Sequence, residues 1–88
     1  MAGRAVLVTG ASRGVGRAVA VAFAAAGDRV AVHHRASAPL AADTLRGLAG
    51  DGHVVVQGDL ADAAAVRAFV DAAADGLGGL DVLVNNAA

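Results

Sequence analysis

The chain has no cysteine, no tyrosine, no tryptophan and no lysine among its 88 residues. The missing cysteines remove disulfides, thiolate zinc sites and cysteine nucleophiles together, and fit a reducing compartment. Without tyrosine or lysine, a mechanism that needs a phenol or an amine is not carried by these residues. The aromatics are two phenylalanines, so a core must be built from Ala, Val and Leu, small side chains that suit close packing of helices on a sheet. Charge is scarce too: the net value is −1, with Arg and Asp scattered. No basic stripe exists for nucleic acid and no polybasic anchor for a membrane surface. In the opening "MAGRAVLVTG" the apolar run is broken by Thr9 and Gly10, too short for a signal core or a spanning helix, and the expectation is a soluble, cytoplasmic protein.

Eighty-eight residues make one small domain at most. A domain of this size buries a little over ~60% of its unfolded surface. Short apolar runs alternate with longer periodic segments, the α/β signature. Ala5 to Thr9 is continuously apolar, as a parallel strand covered on both faces requires, and Arg29 to His34, His53 to Gln57 and Asp81 to Val84 repeat the pattern. Val15, Ala18, Val19, Ala22, Phe23 and Ala26 fall on one face of a first helix, ended by Gly27. Leu40, Thr44, Leu45 and Leu48 mark a second, with Ser37 as its cap and Pro39 in its first turn. Val66, Phe69, Val70, Ala73 and Leu77 mark a third, opened near Asp62 and closed by Gly76, Gly78 and Gly79. Right-handed crossovers then put helices on both faces of one parallel sheet.

Three glycines, Gly10, Gly14 and Gly16, occupy the corner between the first strand and first helix. Glycine loses much backbone entropy on folding, so the cluster needs a geometric reason. In this context it makes a phosphate cradle: Gly10 turns the chain out of the strand, Gly14 admits a ligand close to the backbone, and Gly16 lets the helix pack on the sheet. The unpaired N–H groups of the first turn would be satisfied by a pyrophosphate at the positive end of the helix dipole. In a dinucleotide fold the residue that reads the adenosine ribose lies about 20 residues further on, where an acid favours NAD and an Arg accommodates the 2′-phosphate of NADP. Here His34 and Arg35 stand there, with no acid. Arg35, assisted by Arg13, can clamp a 2′-phosphate through its planar fork, so NADP is the expected cofactor and NAD the weaker fit. The bland alternative is two solvated arginines.

The chain resembles the short-chain dehydrogenase/reductase family, on three motifs in register: Thr9-Gly10-Ala11-Ser12-Arg13-Gly14-Val15-Gly16, Asp59-Leu60 after the third strand, and Asn85-Asn86-Ala87-Ala88 after the fourth. Within the family, "VTGASRGVGRA" and "DVLVNNAA" are most similar to 3-oxoacyl-carrier-protein reductases. The resemblance implies that Ser12, Arg13 and Val15 lie with the glycines along the cofactor phosphates. It implies that Asp59 accepts from the adenine amino group, that the Leu60 backbone lines the adenine slot, that Asn86 and Ala87 border the nicotinamide-side ribose, and that Asn85 ties strands together. Asp59 as a helix cap and the Asn pair as strand-end ties are the alternatives. Ala88 stands where the family usually has Gly, and Ala61 where a Ser or Thr cap is common, so Asp62 or Asp59 must cap the third helix.

Family members run to well over twice this length, with a catalytic Ser and a Tyr-x-x-x-Lys beyond the Asn-Asn-Ala motif. The resemblance therefore implies that residues 1–88 are the N-terminal, cofactor-binding part of a single domain, a three-layer Rossmann-type α/β half with four parallel strands in the order 3-2-1-4 and helices on both faces, in an oxidoreductase that interconverts a carbonyl and an alcohol, with no catalytic residue of its own. A non-catalytic dinucleotide-binding module, or a split product needing a partner chain, is the alternative. A carbonyl or alcohol substrate and a homo-oligomer belong to a full-length form, and the fourth strand is expected to leave an open apolar edge.

No metal site is expected. His33 and His34 are adjacent and point to opposite faces of a strand, and His53 begins another, so all three read as solvated or strand-end histidines. The acids are all Asp and unpaired, and Ser12 and Ser37 have no His partner in motif context, which leaves a hydrolase without support.

Overall fold

A computed structural model describes residues 3–86. The elements are β1 (Ala5–Val8), α1 (Gly14–Ala25), β2 (Arg29–His34), α2 (Ala38–Arg46), β3 (Val54–Gln57), α3 (Ala63–Leu77) and β4 (Val82–Val84). The strands form one parallel sheet in the order β3-β2-β1-β4, the order expected from the resemblance.

Every residue of β1 is completely buried, because the strand is paired on both edges and covered on both faces. Val6, Val8, Val30 and Val32 face Ala20 and Ala24 of α1 and Ala41 of α2. Ala5, Leu7, Ala31 and Val56 face Phe69, Ala73 and Leu77 of α3. The order of elements puts α1 and α2 on one face and α3 on the other, a three-layer sandwich.

The inward seam of α1 differs from the sequence reading. Gly16, Ala20 and Ala24 are buried, with Val19 and Phe23 beside them, whereas Val15 is 71% exposed and Ala18, Ala22 and Ala26 face outward. A helix lying close on a sheet turns its smallest side chains to the contact, and an alanine-rich helix offers several equivalent stripes. In α2 the buried positions are Ala41 and Thr44; Leu40 is exposed, and Leu48 packs inward from beyond the helix end. Gly76 lies inside α3, which ends at Leu77 with Gly78 in the left-handed conformation (φ 78°).

Asp62 caps α3, its carboxylate accepting the N–H groups of Ala64 and Ala65 at 3.0 and 3.2 Å. Ser37 stands at the N-cap of α2 without a side-chain capping bond; Pro39 leaves that turn one donor fewer to satisfy. At the N-terminal end of the sheet, the buried Asp28 accepts the backbone N–H of Arg4 at 2.9 Å and its guanidinium at 3.0 Å, which joins β1 to the approach to β2. Among the described residues no helix is long and apolar enough to cross a membrane.

Candidate functional site

Parallel strands bring their carboxyl ends to one edge of the sheet, so the segments after β1, β2, β3 and β4 become neighbours there. The chain leaves β1 through Gly10 (φ 62°) and enters α1 through Gly14 (φ 61°), both left-handed positions that other residues rarely adopt. Gly16 serves close approach: a Cβ there would stand 2.1 Å from the Gly10 carbonyl oxygen and 2.5 Å from Asn86 Nδ2. Gly14 has no neighbour within 4 Å of where its Cβ would be, so its outer side is bare.

Three side chains hold this corner from different directions. His33, at the end of β2, accepts the Gly10 N–H on Nδ1 at 3.0 Å. Thr44 of α2, completely buried, donates its hydroxyl to the Ser12 carbonyl at 3.2 Å. Asn86, just past β4, donates its amide to the carbonyls of Thr9 and Gly10 at 3.2 and 3.3 Å. The start of α1 itself has no such support: Arg13 occupies the N-cap without a capping bond, and no acid lies in the first turn.

A cleft of about 440 Å³ opens beside the corner, lined by Gly10, Ser12 and Arg13 on one side, His33, His34 and Arg35 at its floor and back, and Asp59, Leu60 and Ala61 opposite. Arg35 Nε lies 3.8 Å from Asp59 Oδ2 across the mouth, with both side chains substantially exposed. Exposed pairs of this kind contribute little and exchange readily. Asp59 Oδ1 accepts the Ala61 N–H at 2.9 Å, so it shapes its own loop while Asp62 caps the helix.

Of the predicted site residues, Gly10, Ser12, Arg13, Arg35, Asp59 and Leu60 line this one cleft; Gly14, Val15 and Gly16 lie next to it at the start of α1. Asn86 packs behind the corner, and Ala87 lies outside the described residues. Asn85 ties strands as expected, its Oδ1 accepting from the Thr9 hydroxyl at 3.4 Å, although Asn86 makes more of these ties.

The histidines stand at strand ends, one of the two settings expected of them. His33 and His34 are buried rather than solvated, and point to opposite sides as their alternation requires. His33 has both nitrogens engaged, with Nε2 donating to the Gly58 carbonyl at 2.8 Å and its ring tilted against Phe69 at 4.4 Å. His34 accepts the Ser37 N–H on Nδ1 at 3.1 Å; burial holds its pKa below the usual value. His53 is a strand-end residue, accepting the Val30 N–H where a longer β3 would have used its backbone. His33, Thr44 and Gly58 are the residues that sequence reasoning missed. One signal was available: two polar rings in an otherwise apolar buried strand, ending beside a glycine turn.

The sequence model described as "short chain dehydrogenase" matches residues 4–88. The chain belongs to the short-chain dehydrogenase family. It is 42% identical over 88 residues to a glucose 1-dehydrogenase of Gluconobacter oxydans, spanning 98% of this chain and 33% of that one. It is 40% identical over 86 residues to a 3-oxoacyl-(acyl-carrier-protein) reductase of Staphylococcus aureus, spanning 96% of this chain and 35% of the other. Among solved structures, a short chain dehydrogenase from Burkholderia cenocepacia in complex with NADP superposes with a TM-score of 0.86 at 43% identity, covering 98% of this chain and 36% of that one. A dehydrogenase/reductase from Sinorhizobium meliloti gives 0.87 at 35% identity, covering 99% and 35%. The chain thus spans about a third of the length of the curated relatives it matches. Family membership and the parallel sheet agree on an NAD(P)-binding Rossmann fold of the oxidoreductase class.

Proposed function

We propose that residues 1–88 form the N-terminal, NADP(H)-preferring part of a single Rossmann domain in an oxidoreductase that interconverts a carbonyl and an alcohol. The observation that carries the reading is the composition of the cleft: Arg13 and Arg35 beside the glycine corner, and His34 rather than an acid at the end of β2. An Arg in that place matches a 2′-phosphate, and an acid would have matched a free ribose hydroxyl. The uncapped start of α1 and the bare side of Gly14 fit a pyrophosphate. The Burkholderia relative, described as a complex with NADP, lends further support.

In this reading the backbone N–H groups of the Ser12–Gly16 turn and the first turn of α1 bind the phosphates, and the Arg13 and Arg35 guanidinium groups hold the 2′-phosphate. Asp59 leaves Arg35 to accept from the adenine amino group, the Leu60 backbone lines the adenine slot, and Asn86 and Ala87 border the second ribose. When bound, the dinucleotide would give a hydride to the substrate carbon or take one from it. The protein works in the cytoplasm, and its longer form is a homo-oligomer.

The test compares dissociation constants for NADP and NAD before and after Arg35→Asp. A reversed or abolished preference is expected, and a variant that kept its preference for NADP would sink the assignment. A second reading, a dinucleotide-binding module without chemistry of its own, is favoured by the absence of Tyr and Lys. Carbonyl reduction with NADPH by the purified 88-residue chain separates the two. No turnover is expected from these residues alone, and a robust rate would place the proton donor among them.

A further inference from the structure

We propose that His33, as its Nε2–H tautomer, is the positioning residue that sets the glycine corner for phosphate binding, and that a proton gained at Nδ1 releases the corner. The proposal rests on the cofactor reading above and adds the residue that controls it.

The hydrogen-bond partners dictate the protonation state. Gly10 offers an N–H, 3.0 Å from Nδ1, which must therefore present a lone pair. Gly58 offers a carbonyl oxygen, 2.8 Å from Nε2, which must therefore carry the hydrogen. Of the three forms an imidazole can take, one satisfies both partners. The ring is 2% exposed and rests on Phe69, so it cannot swing out to exchange partners with water.

The two partners belong to different walls of the cleft. Gly10 begins the turn that carries Ser12 and Arg13; Gly58 directly precedes Asp59 and Leu60. A neutral His33 is thus a rigid strut between the phosphate side and the adenine side. An imidazolium would set one N–H against another, leaving the Gly10 amide without an acceptor beside the bond that forms the corner. The surrounding groups are the Gly10 amide from the β1–α1 turn, the Gly58 carbonyl from the end of β3 and the apolar Phe69 from α3. His34 lies next along the strand, and Arg13 and the Arg35–Asp59 pair stand at the mouth. The strut therefore holds only while His33 is neutral.

Two measurements on the protein, in the form its own cell makes, test this. Nitrogen-15 NMR of the wild-type imidazoles should show His33 with a hydrogen on Nε2 and an acceptor-type Nδ1 at neutral pH; the opposite tautomer overturns the proposal without any variant needing to fold. Dissociation constants for NADP are then taken for wild type, His33→Asn, His33→Gln and His33→Phe at about pH 7.5 and about pH 5.5. Asn puts a carbonyl oxygen near the Nδ1 position, an acceptor that cannot be protonated, whereas Gln reaches toward Gly58 and Phe keeps only the ring. At the higher pH the Asn variant should stay within about threefold of wild type, with Gln and Phe weaker by about tenfold, the size of one net hydrogen bond. At the lower pH wild type should lose affinity relative to His33→Asn, a ratio that cancels the titration of the ligand's own phosphates and of His34. Equal affinities across all four proteins, or a wild-type to Asn ratio that ignores pH, overturn the role of His33. Failure of the wild type to bind NADP at either pH sinks the cofactor reading and this proposal with it.

Discussion

Asn86 Nδ2 donates to the carbonyl oxygen of Gly10 at 3.3 Å, tying the segment after β4 to the turn after β1. The same amide donates to Thr9, and the Asn86 backbone N–H is received by the Thr9 hydroxyl at 3.0 Å. Removing the amide by Asn86→Ala leaves two carbonyls without these donors, and the expected loss is roughly 1–2 kcal/mol of stability. Urea unfolding checks it. An unchanged midpoint would mean that the side chain serves only a ligand.

Gly16→Ala and Gly14→Ala should separate packing from backbone strain. The added methyl at position 16 meets the Gly10 carbonyl at 2.1 Å, a backbone atom that cannot move without shifting the corner, so a loss of about 3 kcal/mol is expected. At position 14 nothing lies within 4 Å, and the cost is that of a left-handed alanine, about 1 kcal/mol. Chemical denaturation of both variants tests the order, and Gly14→Ala proving the more harmful would contradict the packing argument.

Stability should fall on mild acidification. Burial holds the His34 pKa below its ordinary value, so as pH drops the unfolded chain takes the proton first. Its contribution is complete above about pH 6.5 and is lost as pH falls from there through the lower folded value. The hydrogen bond from Arg4, together with its charge, holds the Asp28 carboxyl below the usual carboxylate range, and this acts in the same direction at lower pH, below about 3.9. Melting curves between about pH 7.5 and about pH 5.5 should slope downward in wild type, and His34→Gln should flatten them. A variant with the wild-type slope would assign the effect elsewhere.

β4 lies at one edge of the sheet, and Leu83, on the α3 side beyond the cover of α3, is 57% exposed. An apolar edge with open N–H and C=O groups pairs readily with another strand. The isolated 88-residue chain is expected to associate, and Leu83→Lys should shift it toward monomer in light scattering. A monodisperse wild-type monomer that melts cooperatively would count against this.

The strand ends were legible because β-branched and apolar runs, bounded by glycine and charge, admit few alternatives; three boundaries moved by a single residue, at Thr9, His53 and Asp81, and β2 kept both of its ends. The helix faces were less so. In α1 the bulky Val15 reads as inward, yet Gly16, Ala20 and Ala24 make the contact. Period alone cannot rank stripes in a helix that is apolar nearly all round, whereas the closeness of the sheet can.

What the sequence by itself determined is the alternation of strand and helix, and with right-handed crossovers a parallel sheet covered on both faces; the strand order followed from the motifs shared with the family. It also determined the cleft as a place, because glycines, Arg35 and Asp59 all follow strands whose ends a parallel sheet must gather. Only the tertiary structure decided what holds that place in shape. The bonds from His33, Thr44 and Asn86 to the glycine corner span 23, 32 and 76 residues. No local pattern encodes a hydrogen bond between groups so far apart; it exists because the sheet sets those residues side by side and burial then demands that each polar atom find a partner.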